Sequence, residues 1–196
     1  NNSFKITPEI FDIWMRLLRE VEGSVLWLSA PNSTTKENIL REAEARGVAS
    51  RRLVFARFRP SPEEHLARLK LADLFLDTLP YNAHTTASDA LWAGLPVLTC
   101  LGNTFAGRVA ASLLEAIGLA EMITTTLDEY ESRARQLARD PGALAAIAKK
   151  LRENRDTHTL FDTARFTRHL EAAYTQMWER AQRGAPPDHF AVPRIS

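Results

Sequence analysis

The apolar run Leu74-Phe75-Leu76-Asp77 leads through a polar loop into His84-Thr85-Thr86-Ala87-Ser88-Asp89-Ala90-Leu91-Trp92-Ala93-Gly94-Leu95-Pro96-Val97. The spacing predicts a strand, a loop and a helix over 85–93 that stops at Gly94, with a further strand over 96–99. Open α/β sheets bind ligands at the carboxyl ends of their strands. The first turn of a helix there offers unpaired N–H groups and the positive end of the helix dipole, which favour an anion such as phosphate. Thr85 and Thr86 add hydroxyl donors, His84 reaches the same anion, and Asp89 lies about one turn further on. An acceptor such as Asp89 suits sugar hydroxyls better than phosphate, so the segment reads as a site for a phosphate carried on a ribose.

Working outward, the same strand–helix rhythm repeats. Thr7-Pro8-Glu9 is a helix start, with an N-cap threonine, proline at the first helical position and then an acid. Ile10, Ile13, Trp14, Leu17 and Leu18 fall on one face of that helix, which Gly23 ends. Residues 24–28 read as a buried strand, 35–46 as a helix and 53–56 as a strand. Pro62-Glu63-Glu64-His65 opens a short helix to Lys70. The strand before the polar loop runs over 73–77, residues 107–117 are helical, and Met122-Ile123 is a short edge strand. Beyond Leu127 the chain is almost wholly helical, broken at Pro141-Gly142 and near Thr157. Trp14, Trp27, Trp92 and Trp178 are expected in the core. Arg51-Arg52 and Lys149-Lys150 are expected at solvated ends of elements, and Asp73 and Asp77 are expected to be structural.

Short apolar strands without alternation, each followed by a helix, imply a parallel sheet covered on both faces. The long helix from about Thr163 to Arg183 does not fit that rhythm and is expected to pack on a neighbouring lobe. At 196 residues with 45% hydrophobic content the chain is of ordinary core-forming composition. Its net charge of +1 gives no electrostatic footprint for nucleic acid. No apolar run approaches the roughly 20 residues that span a bilayer, so no membrane partner is expected. The single cysteine, Cys100, cannot form an internal disulfide and fits a reducing, cytoplasmic setting. Scattered histidines offer no metal-ligand spacing. The abrupt opening at Asn1-Asn2-Ser3-Phe4-Lys5 reads as a cut within a longer polypeptide.

Several segments together resemble the O-GlcNAc transferase family. They are Phe4-Lys5-Ile6-Thr7-Pro8, Val25-Leu26-Trp27-Leu28, Glu63-Glu64-His65, the His84 segment through Gly94, Arg108-Val109-Ala110-Ala111-Ser112, Gln176-Met177-Trp178-Glu179 and Pro187-Asp188-His189. The texture is that of a bacterial homologue. The resemblance implies an α/β, Rossmann-like parallel sheet with helices on both faces, the C-terminal lobe of a two-lobed GT-B glycosyltransferase, ending in a helical tail. It places a UDP-sugar-binding lobe at 1–157, and a helix and tail at 158–196 that pack against an N-terminal catalytic lobe, with tetratricopeptide repeats further upstream. The implied activity is inverting, metal-independent transfer of N-acetylglucosamine from UDP-GlcNAc to serine or threonine hydroxyls of a protein or peptide acceptor, with no cofactor.

By the same resemblance His84, Thr85 and Thr86 bind the diphosphate, and Asp89 holds the ribose. His65 packs on the uracil, Arg68 closes that segment, and Lys5 is the catalytic residue, set against the diphosphate of the leaving UDP. Asn2 stands where animal members carry a glutamine of the nucleotide site. Pro62 stands where a lysine helps to hold the nucleotide, and Arg59, in a loop about one residue longer, is the candidate to replace that charge. Nothing in the chain is an obvious base for the acceptor hydroxyl; in the family that region lies in the other lobe. Two other readings remain open: another GT-B-type UDP-sugar enzyme, including an epimerase, or a catalytically silent nucleotide-binding or scaffold domain.

Overall fold

A computed structural model describes residues 2–29, 32–57 and 59–194. Phe58, within the loop expected to hold Arg59, lies outside the described residues. A short 3₁₀ turn, Ser3–Lys5, precedes α1 (Pro8–Glu20), β1 (Leu26–Ser29), α2 (Ser33–Ala45) and β2 (Leu53–Ala56). Then come α3 (Pro62–Leu69), β3 (Phe75–Leu76), α4 (Thr85–Ala93), β4 (Val97–Cys100), α5 (Val109–Ala116) and β5 (Ile123–Thr124). The chain closes with α6 (Leu127–Arg139), α7 (Pro141–Arg155) and α8 (Thr163–Gln182).

Every described strand pair is parallel, as the strand–helix rhythm implies. The strands form two hydrogen-bonded groups, β1–β2 and β3–β4–β5, with β5 at an edge. β4 is the most enclosed strand, buried at all four positions. It packs against α4, α5 and α6, and α6 in turn packs against α1. The expected five-residue strand over 73–77 shrinks to Phe75 and Leu76, because the Asp77 side chain captures the next amides and turns the chain out of the sheet. β1 is half-buried rather than buried, with only Leu28 enclosed; Val25 just before it and Val54 of the neighbouring β2 are exposed, and α2 contributes only Ala43 to the buried core.

Local chemistry places the helix ends where the sequence indicates. The Thr7 hydroxyl accepts from the Ile10 amide at 3.4 Å, with Pro8 beginning α1. The buried face of α1 holds the five expected residues together with Phe11 and Met15. Gly94 ends α4 at φ +86°, a left-handed conformation that glycine adopts without strain, and the Leu95 amide closes onto the Ala90 carbonyl.

The expectations for Trp92, Trp178 and Arg52 are corrected. Trp14 is core, but Trp92 and Trp178 are exposed. Trp92 lies on the outer face of α4, edge-on to Phe161 and under the Arg155 guanidinium. Trp178 sits on α8, none of whose residues is buried. Arg52 is not a solvated end. Its guanidinium donates to the carbonyls of Leu18, Val21 and Ser24 and so closes the C-terminal end of α1. Lys149 and Lys150 are solvent-exposed as expected, though within α7 rather than at its end, and Lys150 pairs with Glu121 at 2.6 Å.

Candidate functional site

The loop between β3 and α4 is organised around a buried carboxylate. Asp77 is only 1% exposed. Its Oδ1 accepts from the amides of Thr78 and Ala83, each at 2.7 Å, and its Oδ2 accepts from the Thr99 hydroxyl of β4 at 2.7 Å. Asn82, also buried, donates from Nδ2 to the Thr78 carbonyl at 2.8 Å, and its amide donates to the Ala106 carbonyl at 2.9 Å. The loop thereby lies against the Gly102–Gly107 turn. A Cβ on Gly107 would sit 2.9 Å from the Pro80 carbonyl oxygen, so glycine is needed for the approach.

His84 caps α4 from the carboxyl end of that loop. The amides of Ala87 and Ser88 both bond to the His84 carbonyl. Helix geometry leaves the Thr85 amide, at the first position of α4, with no carbonyl one turn back. His84 Nε2 lies 3.2 Å from the Ala106 carbonyl, which can only accept, so Nε2 carries a hydrogen. The imidazole stacks on Tyr81 with ring centroids 5.1 Å apart and meets the edge of Phe105.

Lys5 arrives at the same place from the amino-terminal turn. Its Nζ donates to the Asn82 carbonyl at 2.8 Å and lies 3.9 Å from the centroid of the Tyr81 ring. Burial lowers the pKa of the ammonium from the ordinary lysine value, and the nearby Asp77 charge opposes that shift. The Asn2 carbonyl accepts from the Lys5 amide at 3.1 Å, while the Asn2 side chain is exposed.

A second set of polar side chains flanks α4 from the α3 side. Arg68 Nη2 lies 2.8 Å from His65 Nδ1. Arginine only donates, so Nδ1 accepts and the imidazole hydrogen sits on Nε2. Nε2 then faces Asp89 Oδ2 at 3.5 Å. Arg68 Nη1 also donates to the Arg57 carbonyl at 2.7 Å, tying the last turn of α3 to the residue that follows β2. Arg59 is exposed and 3.8 Å from Glu64. The first turn of α4 is therefore bracketed by Lys5 and His84 at one end and by the His65–Asp89 pair along one face.

The structure gathers Lys5, His84, Thr85 and Thr86 around one helix end, and His65, Arg68 and Asp89 beside it. Asn2 joins the group only through its backbone. The sequence reading missed Tyr81, Asn82 and Phe105, which seat Lys5 and His84. The available signal was the position of Tyr81 and Asn82 just before His84. Phe105, distant in sequence, carried none. Among the described residues no group of three or more His, Cys, Asp or Glu side chains is arranged to hold a metal ion.

Glycosyl transferase family 41 matches residues 1–170. The chain belongs to that family. It is 40% identical over 193 residues to the probable UDP-N-acetylglucosamine–peptide N-acetylglucosaminyltransferase SEC of Arabidopsis thaliana, covering 98% of this chain and 20% of that protein. It is 38% identical over 190 residues to the UDP-N-acetylglucosamine–peptide N-acetylglucosaminyltransferase of Caenorhabditis elegans, covering 97% of this chain and 16% of that protein. A mutant of the O-GlcNAc transferase of Thermobaculum terrenum superposes with a TM-score of 0.84 at 38% identity, over 92% of this chain and 35% of that one. This family 41 chain thus spans about a fifth of the curated relatives it matches. The structural likeness covers 92% of this chain, and the α/β fold with parallel strands expected for a GT-B lobe is the fold of this chain.

Proposed function

We propose that this chain is the UDP-binding lobe of an enzyme that transfers N-acetylglucosamine from UDP-GlcNAc to serine or threonine hydroxyls of a protein or peptide. The observation that carries the reading is the convergence of Lys5, His84 and the amide end of α4, with the His65–Asp89 pair alongside. A diphosphate set against the amides and hydroxyls of Thr85 and Thr86 receives the helix dipole, the Lys5 ammonium and the His84 imidazole. Asp89, about one turn on, accepts from ribose hydroxyls. His65 and Arg68 supply a ring face and a guanidinium edge for the base, and Asn2 closes the phosphate end.

In the proposed reaction the acceptor oxygen attacks the anomeric carbon as the bond from that carbon to the diphosphate breaks, with inversion. Negative charge grows on the departing UDP oxygen. Lys5 and the α4 amides, fixed before the reaction begins, stabilise that charge without reorganising. The reading requires no metal ion or cofactor. The base that deprotonates the acceptor is assigned to an N-terminal catalytic lobe, with tetratricopeptide repeats beyond it.

The division expected from the sequence, 1–157 as the nucleotide lobe and 158–196 as a helix and tail that pack on the partner lobe, belongs to this proposal. It is supported by α8, which exposes Phe166, Leu170, Tyr174, Met177 and Trp178 at helical spacing. A cytoplasmic setting is supported by Cys100, buried and unpaired. No helix among the described residues is long and apolar enough to cross a membrane.

Calorimetric titration of the chain with UDP, GDP and ADP tests the reading. UDP is expected to bind selectively, and His84→Ala is expected to abolish measurable binding. No nucleotide binding by the folded protein would favour a scaffold role. Asp89→Ala should weaken UDP by about 1–3 kcal/mol through lost charge-assisted hydrogen bonds. It should affect UMP and UDP alike, since both carry the ribose; an effect confined to UDP would remove Asp89 from the ribose.

A further inference from the structure

Among the described residues, Asp77 is the buried carboxylate that organises the donor loop, and the mechanism above does not use it. It is joined to that mechanism through two links. Its Oδ1 accepts from Thr78 and Ala83, the amides at either end of the 78–83 loop, and so closes the loop into a fixed shape. Asn82 in that loop presents the carbonyl that receives Lys5 Nζ at 2.8 Å, and the next residue after the clamp is His84. Its Oδ2 is held by the Thr99 hydroxyl of β4, the most enclosed strand, so the clamp is referenced to the core rather than to another loop. Its backbone carbonyl accepts from the buried Tyr130 hydroxyl at 2.9 Å, which anchors the same residue to α6.

We propose that Asp77 is a positioning residue for Lys5: its carboxylate pins the loop that seats the ammonium and sets a fixed negative charge beneath it. A neutral hydrogen-bonding group would preserve the clamp's shape. A charge is worth burying here for a second reason. The Lys5 ammonium loses hydration in its seat, and the Asp77 carboxylate offsets the loss by favouring the charged form. The other titratable side chains beside the ammonium are Tyr81, under its Nζ, and His84, stacked on Tyr81. Asp77 never meets the nucleotide. Its effect reaches the reaction only through where Lys5 stands and whether Lys5 is charged.

The role in turnover rests on the donor-site reading, whereas the link between Asp77 and Lys5 does not. Two readouts therefore separate the two. The first is the titration of the Lys5 ammonium in the chain labelled with ¹⁵N at lysine Nζ. Asp77→Asn, which keeps the acceptor for both loop amides, should lower the Lys5 midpoint by about half a pH unit. The second is the pH profile of transfer by the full-length protein. There Asp77→Asn, which keeps Lys5 in place, should reduce kcat by up to about threefold on the alkaline limb through the smaller charged fraction of Lys5, with KM for UDP-GlcNAc within about threefold of wild type. The alkaline limb should move to lower pH, which a loss of stability alone would not cause.

Lys5→Met supplies the reciprocal measurement if Asp77→Asn fails to fold, because coupling between two sites is mutual. Removing the ammonium should shift the titration of the Asp77 carboxyl, read from its ¹³Cγ resonance, to higher pH. A Lys5 midpoint that stays at the wild-type value in folded Asp77→Asn overturns the proposal, as does an unmoved Asp77 titration in Lys5→Met. Absence of transfer by the wild-type full-length protein would sink the donor-site reading, and the two titrations would still decide the role of Asp77.

Discussion

Lys5→Ala is expected to lower kcat by about 100- to 1000-fold, roughly 2.7–4 kcal/mol of transition-state stabilisation, as for loss of one fixed donor at a developing oxyanion. UDP affinity should fall far less. Ground-state UDP already shares its charge with the α4 amides, His84 and solvent, whereas the departing oxygen gains its charge only as the glycosidic bond breaks. Burial lowers the Lys5 pKa from the ordinary lysine value of 10.5. The ammonium is intact well below the lowered value and is lost as pH rises through it. Turnover should therefore decline on the alkaline side before an ordinary lysine would titrate, and Lys5→Ala should abolish that limb. Steady-state transfer assays on the full-length protein, paired with UDP calorimetry, check both statements. Equal losses in kcat and in UDP affinity would show that Lys5 binds the ground state and the transition state alike.

Tyr130→Phe is expected to destabilise the fold by about 2–4 kcal/mol, since a buried group left without its partner costs about 1–3 kcal/mol. Tyr130 is wholly buried, and burial raises the pKa of its phenol, so it stays protonated. The hydroxyl accepts from Trp14 Nε1 of α1 at 3.2 Å and donates to the Asp77 carbonyl at 2.9 Å. One oxygen thus ties α1, α6 and the end of β3 together. Phenylalanine fills the same space but strips the acceptor from Trp14 and the donor from Asp77. Scanning calorimetry should register a fall in Tm of roughly 5–15 °C for a chain of this size. A fall of less than about 2 °C would mean that water or a neighbouring group replaces the lost oxygen.

The His84 segment was legible because its information is local. A strand, a polar loop and a helix start sit within one stretch, and the amide end of a helix is an anion site whatever surrounds it. The same holds for Thr7-Pro8, whose cap and ring fix the start of α1, and for Gly94, whose positive φ ends α4. Burial was less legible where it depended on a partner element. Trp92 and Trp178 have the side chains of core residues, yet Trp178 lies on α8, none of whose residues is buried, and Trp92 is covered only in part, by Phe161 and Arg155. Arg52 looked like a solvated end because nothing near it in sequence reveals the three carbonyls it meets.

Sequence alone determined the strand–helix order, the starts of α1, α3 and α4 and the cluster from His84 to Asp89, because each is written in a local pattern of residues along the chain. Only the tertiary structure decided that Lys5 lies on the Asn82 carbonyl and Tyr81 ring, 77 positions away in sequence. It alone turned Asp77 from the end of a strand into the clamp of the donor loop. Both outcomes depend on which carbonyls and amides the packed core brings within hydrogen-bonding distance, and that selection is made by packing among distant elements rather than by any local pattern.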